Sequence, residues 1–270
     1  MRILVTGANG FLGRALKPLL PSEWSAIGLA RAGGADSFEI TYRDLGALLA
    51  AAPRLDGVIH LAAQIRDPAD GCSAYLRSNV DLPSTLVRAF PQARHVMASS
   101  VSVFGPPDAT PITIASQCRP EHPYGTSKLA GEWVVRTAPN HAAIRFSSLL
   151  GPGMHSDTFV PRILSEARNS RRITLHGSGE RLQNYLDVRD AARMCLRAMG
   201  MKSNFVTLGI GKRSWSNRAI ADLLTEHVPA EVVLAGSDDS PSYVYATTGC
   251  VDLGENMHPL IETIDWLVTQ

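Results

Sequence analysis

The chain opens on a short apolar run rich in β-branched residues, Arg2-Ile-Leu-Val-Thr6, which stops at Gly7 and predicts a buried strand. From Phe11 the spacing changes: Phe11, Leu12, Ala15, Leu16 and Leu19 recur at helical intervals until Pro21. The same exchange of periods continues downstream. Strands are predicted at 25–30, 38–41, 57–62, 95–98 and 142–146, and helices at 44–52, 74–90 and 124–137. Strands that alternate with helical runs imply βαβ units and a parallel sheet covered by helices on both faces. After Gly151 this rhythm breaks. Gly and Pro become frequent, and only a helix at 188–199, a strand at 205–208 and helices at 217–227 and 259–268 stand out. The expected fold is therefore α/β, a Rossmann-like doubly wound parallel sheet with a small C-terminal α/β lobe. Residues 1–150 form a dinucleotide-binding domain and 151–270 mostly a substrate lobe, with about 185–210 returning to the first domain.

Composition narrows the functional class. Of 270 residues, 45% are hydrophobic and 19% charged, as in an ordinary globular chain. Lys plus Arg number 26 against 25 Asp plus Glu, a balance that speaks against a nucleic-acid partner. No apolar stretch approaches the length of a membrane span, and the first residues do not read as a signal peptide, so a cytoplasmic protein is expected. Cys72, Cys118, Cys195 and Cys250 lie far apart without metal-ligand spacing, so no metal site and no disulfide framework are expected.

The first candidate site is the turn after the first strand, Thr6-Gly7-Ala8-Asn9-Gly10-Phe11-Leu12-Gly13. Its three glycines fit a tight turn, a close backbone approach to a pyrophosphate, and close helix–strand packing. The following helix start offers amide groups and positive potential to phosphates. The second strand ends at Ala30-Arg31, where an NAD-selective site carries an acidic residue for the ribose hydroxyl. An arginine there suits a 2′-phosphate, so the cofactor is expected to be NADP or NAD, with NADP favoured. The second candidate is Tyr124-Gly-Thr-Ser-Lys128, which puts a phenol and an ammonium on one helix face. A nearby cation favours the phenolate and makes proton exchange with a hydroxyl feasible.

With these motifs the chain resembles the extended short-chain dehydrogenase/reductases, a family of nucleotide-sugar epimerases, dehydratases and reductases. The resemblance rests on the glycine turn, His60-Leu-Ala-Ala63, Asn79-Val80, the run from Ser99 to Gly105, Tyr124 with Lys128, Arg145, Gly151-Pro152 and the stretch from Asn184 to Asp190. It implies that Tyr124 is the acid/base, that Lys128 binds the nicotinamide ribose and tunes Tyr124, and that Ser100 holds the reacting oxygen. It also implies cofactor contacts from Gly7, Asn9, Gly10, Phe11, Leu12, Gly13, Arg31, Glu39, Ile40, Leu61, Ala62, Ala63, Asn79 and Phe146. Substrate contacts are expected from Ser100, Ser102, Ser148 and Gln183, and a homodimer through the helices at 74–90 and 124–137.

Departures from the family pattern refine this. Dehydratases of the family carry an acidic residue just after the serine or threonine, where this chain has Val101 and Ser102, so dehydration is not expected. Gln183 stands where sugar-nucleotide enzymes often have an arginine, with Arg181 and Arg213 as candidate replacements; His155 reads as incidental. The expected activity is hydride transfer at a sugar ring carbon, a nucleotide-sugar C4 epimerase or 4-keto reductase. Alternatives are a dehydrogenase of a free sugar or small alcohol and a non-catalytic NAD(P)-binding sensor or scaffold.

Overall fold

The structure is a computed structural model that describes residues 1–30, 38, 40–66, 71–254 and 257–269. Arg31 and Glu39 lie outside the described residues, and for Ile40 only its backbone place in a strand is described.

The first part runs β1 (Arg2–Thr6), α1 (Phe11–Leu16) with a 3-10 turn (Lys17–Leu19), β2 (Ser25–Leu29), β3 (Ile40–Tyr42), α2 (Leu45–Ala51) and β4 (Gly57–His60). It continues through α3 (Ser73–Leu76), a π turn (Arg77–Asp81), α4 (Leu82–Ala89), β5 (Arg94–Ser100), a 3-10 turn (Val101–Val103), α5 (Pro123–Val135) and β6 (His141–Phe146). Then come β7 (Ser148–Leu150), α6 (Phe159–Ser170), β8 (Arg172–His176), β9 (Leu182–Asp187), α7 (Val188–Gly200) and β10 (Phe205–Gly209). The chain closes with β11 (Ser214–Ser216), α8 (Asn217–His227), β12 (Glu231–Ala235) and α9 (Leu260–Val268).

Seven strands form one parallel sheet in the order β10-β6-β5-β4-β1-β2-β3. It is doubly wound because each strand feeds both faces. On β1, Ile3 and Val5 join the core under α1 and α7, whereas Leu4 joins Leu48 of α2 and Leu86 of α4 on the other side. The chain leaves β1 toward β2 and returns to β4 on its other flank. That reversal opens a crevice at the carboxyl ends of β1 and β4, where open α/β sheets bind their ligands.

A second core gathers Leu150, Ile163, Ile173, Tyr185, Ile220, Leu224 and Ile264 from β7, α6, β8, β9, α8 and α9. Two small sheets accompany it, β11-β9-β7 and β12-β8. α7 and β10 instead pack with the large sheet, as Val188, Ala191, Cys195 and Met199 do in the first core.

The sequence pattern misses α6, β7, β8, β9, β11 and β12. β8 and β12 pair in parallel between residues 59 positions apart, from Arg172 with Glu231 to His176 with Ala235, and so few residues carry little period of their own. The predicted strand at 57–62 ends at His60. The amides of Leu61 and Ala62 leave the ladder to donate to Thr6 Oγ1, at 3.1 and 3.0 Å.

Candidate active site

The glycine turn is held from both neighbouring strands. Gly7 donates its amide to the Leu29 carbonyl at 2.8 Å, and Thr6 takes the two amides beyond β4. Gly7 has φ +66°, and a Cβ there would lie 2.7 Å from Ala62 N. A Cβ on Gly13 would stand 2.4 Å from the Ala8 carbonyl oxygen. Neither position tolerates a side chain. Gly10 differs: a Cβ would meet only the Gly7 carbonyl, so its outer side is bare backbone. α1 begins there without a side-chain cap, which leaves its first amides to other acceptors. A cradle of bare backbone at a helix start fits a pyrophosphate.

Other expected contacts divide. Phe11 is half-buried against the first core. The Leu12 side chain lies inside that core, which leaves its backbone amide at the start of α1. The Asn9 carbonyl accepts from Arg14 Nη1 at 2.9 Å. Leu61, Ala62 and Ala63 are half-buried in the turn after β4. Asn79 is fully buried in the π turn, and its amide is engaged on every side. Oδ1 accepts from Gln64 N at 2.9 Å, and Nδ2 donates to Gln64 O at 3.0 Å and to Ser127 Oγ at 2.8 Å. Asn79 ties the loop after β4 to α5, and Ser127 passes the tie on to the Tyr124 carbonyl at 2.8 Å.

Ser100 ends β5 opposite Phe146 of β6, and both are buried. Its Oγ lies 2.9 Å from Ser102 Oγ, accepts from Ser102 N at 3.1 Å, and stands near enough to the Tyr124 phenol to favour its charged form. Tyr124 keeps part of its surface on the cleft. Burial pushes its phenol up to about 12, against the downward pull of Ser100. Lys128 is almost fully buried and donates from Nζ to the Ala98 carbonyl at 2.6 Å. Burial brings its ammonium down to about 8, while Glu132 one turn later works in the opposite direction. The lowering of Tyr124 by Lys128, expected from their spacing, is not what governs the phenol here. Desolvation is the largest influence on it, and it raises the phenol.

Sequence reasoning missed the support beneath this group. Glu132 Oε1 accepts from Ser99 Oγ at 2.5 Å and from Arg145 Nε at 3.0 Å, and its Oε2 accepts from Arg145 Nη2 at 2.8 Å, all of it buried. Arg145 stacks on Phe104 at 5.0 Å. Polar residues in a helix and a strand carry no signal that they face each other until the sheet is assembled.

Beside Tyr124 opens a cleft of about 800 Å³. Ser102, Ser148 and Gln183 line it, together with Ser147 and Glu121. Gln183 Nε2 is bound to Asn217 Oδ1 at 2.6 Å. Arg181 reaches the cleft and so does Arg66, whereas Arg213 stacks on Trp215 at 3.6 Å and is absent from the wall. Arg66 is also ion-paired with Asp157, beside which His155 stands exposed. Tyr243 and Tyr245 close the far side. Their alternation with Val244 in an otherwise turn-rich tail was the available signal, for that segment is extended, with hydrogen bonds to Ile112 and Leu182. Asp187, Asp190 and His258 bring ligand atoms within 4.8 Å of one another, yet Arg189, Thr263 and Arg193 already occupy these carboxylates. Among the described residues no helix is long and apolar enough to cross a membrane.

Comparison with known proteins agrees with this geometry. Residues 3–211 match the NAD dependent epimerase/dehydratase family. A dTDP-glucose 4,6-dehydratase of Streptomyces griseus is 28% identical over 263 residues, 85% of this chain and 79% of that protein. A UDP-glucose 4-epimerase of Mycolicibacterium smegmatis is 28% identical over 232 residues, 74% of each. Among solved structures, MoeE5 in complex with UDP-glucose and NAD superposes with a TM-score of 0.83 at 25% identity, over 100% of this chain and 98% of the other.

Proposed function

Since the chain belongs to the NAD dependent epimerase/dehydratase family, we propose that it moves a hydride at a ring carbon of a nucleotide-activated sugar, as a C4 epimerase or 4-keto reductase. The observation that carries this reading is the placing of Ser100, at the carboxyl end of β5, beside the Tyr124 phenol, with Lys128 one turn along α5. The bare backbone at Gly7, Gly10 and Gly13 and the amides of Phe11 and Leu12 would hold the dinucleotide's phosphates, and Phe146 would border its reactive ring. When bound, the nicotinamide supplies hydride acceptance and donation. Ser100 Oγ positions the substrate oxygen, the Tyr124 phenol gives or takes its proton, and the Lys128 ammonium adds positive charge beside them. We take 151–270, without α7 and β10, as the substrate lobe.

For the dinucleotide, Arg31 favours a 2′-phosphate, whereas MoeE5 holds NAD. Turnover with each cofactor decides. The helices that carry Leu76 and Trp133, both large and exposed, would form the face of a homodimer.

A dehydratase is the second reading, because the Streptomyces griseus relative carries that name. Against it, Val101 and Ser102 cannot exchange a proton near neutral pH. In its favour, Glu121 supplies a carboxylate on the cleft wall. One experiment separates these: nucleotide sugars and free sugars are offered separately with NAD or NADP, with products analysed and the reduced cofactor followed by absorbance. Epimerisation gives an isomer with no net cofactor change, reduction consumes the cofactor, and dehydration removes water from the sugar. Turnover of free sugars alone would refute the proposal. Tyr124→Phe is expected to lower kcat by about 10²–10⁴-fold and leave dinucleotide binding intact; unchanged turnover would remove Tyr124 from its role.

A further inference from the structure

Two histidines stand outside the chemistry assigned above. His60 ends β4, His95 lies on β5, and both are buried, 2% and 0% exposed. Their rings stack with centroids 5.2 Å apart. His60 Nε2 is 2.9 Å from His95 Nδ1, and His95 Nε2 is 3.0 Å from the Phe90 carbonyl oxygen. A carbonyl only accepts, so His95 Nε2 carries a proton and donates it. In a neutral ring His95 Nδ1 is then the acceptor, and His60 Nε2 must donate to it. What remains is His60 Nδ1, a lone pair that is buried with no hydrogen-bond partner. Burial lowers both imidazoles, and for His60 the neighbouring His95 and Lys128 add to it, which keeps the rings neutral. Buried polar atoms are rarely left unmatched without a reason.

Lys128 shares this layer. His60 is the register partner of Met97, and the next residue, Ala98, is the one whose carbonyl takes the Lys128 ammonium. Met97 lies directly beneath Gly131 of α5, so His60, Met97 and Lys128 occupy the sheet face that α5 covers. The other titratable groups around the lysine are Tyr124 and Glu132 on its own helix, Arg145 on β6 paired with Glu132, and Tyr75 on α3 beside Tyr124.

We propose that His95 and His60 are positioning residues for Lys128: the Phe90 carbonyl fixes the tautomer of His95, His95 fixes that of His60, and the His60 Nδ1 that this leaves bare places a lone pair, not an N–H, in the buried layer that holds the Lys128 ammonium. The other tautomer of either ring would put an N–H in that layer and raise the cost of keeping the ammonium there. This inference rests on the role given to Lys128 above and links the carbonyl at the end of α4 to that lysine.

The test uses the whole chain labelled with nitrogen-15 at histidine and lysine. In the unaltered protein, NMR is expected to show His60 Nδ1 without a proton and Lys128 Nζ titrating near 8. In His95→Phe, both the Lys128 titration and the alkaline limb of kcat/KM should move down by about one pH unit. His95→Asn, whose side-chain carbonyl can still accept from His60, should keep both near their original positions. A protonated Nδ1 in the unaltered protein overturns the proposal, as does a His95→Phe protein that melts earlier while Lys128 titrates where it did. The tautomer and the titration are read without substrate, so a chain that turns over no nucleotide sugar still gives an answer here.

Discussion

The buried Glu132–Arg145 pair offers the sharpest test of how the candidate site is supported. Glu132 is 1% and Arg145 7% exposed, and three hydrogen bonds converge on the carboxylate. Glu132→Leu leaves the guanidinium over the Phe104 ring with no counter-charge and deprives Ser99 of its acceptor. Removing one member of such a pair costs about 3–5 kcal/mol, because the remaining charge stays buried and uncompensated. In a domain of this size each kcal/mol moves Tm by about 2–4 °C, so Glu132→Leu should melt about 10 °C lower. Arg145→Met should lose a similar amount by leaving the carboxylate with Ser99 alone. The double variant removes both charges together and should regain most of the loss, since apolar pairs of similar volume replace buried ion pairs at little cost. Thermal unfolding of the four proteins gives the coupling energy, expected to exceed about 2 kcal/mol. Simple additivity of the two single losses, or a Glu132→Leu protein within about 1 kcal/mol of the original, would refute the reasoning. The same variant removes the group that holds the Lys128 ammonium up, so its alkaline limit of activity should fall as well.

Two further substitutions probe the scaffold. Asn79→Ala removes the tie between the loop after β4 and α5 and should cost about 2 kcal/mol, with a raised KM for the dinucleotide; Asn79→Asp, which keeps only the bond from Gln64 N, should fall between. Calorimetry together with initial rates measures both effects, and an unaltered KM with Ala would show that the tie does not reach the cofactor. Gly7→Ala puts a Cβ against Ala62 N at a positive φ and should weaken dinucleotide binding at least tenfold, read by fluorescence titration with reduced cofactor; equal affinity would mean that the turn plays no part in binding.

What the sequence revealed was local, and what it concealed was long-range. The glycine turn, the Tyr124–Lys128 spacing and the alternation of strands and helices are read within a few positions of themselves, and the sheet follows from them. Asn79 with Gln64, Glu132 with Arg145, and His60 with His95 join residues on separate elements, and no period announces them. Burial was hidden for the same reason, and it reverses one expectation. Spacing alone suggests that Lys128 lowers the Tyr124 phenol, but the folded site raises the phenol to about 12 and lowers the ammonium to about 8. A pH prediction follows with its sign. In the reducing direction the tyrosine stays protonated through the neutral range, so kcat/KM should be flat there and fall with a midpoint near 8, where the free enzyme loses the lysine charge. Stability runs the other way. The folded lysine gives up its proton near 8 while the unfolded one keeps it to 10.5, so between those values the unfolded chain binds more protons and folding strengthens as pH rises. The full gain is up to about 3 kcal/mol, and above pH 10 the raised tyrosine works against it. Melting curves from pH 8 to 10 should therefore rise more steeply for the unaltered chain than for Lys128→Met, and parallel curves would mean that the ammonium is not desolvated as its burial requires.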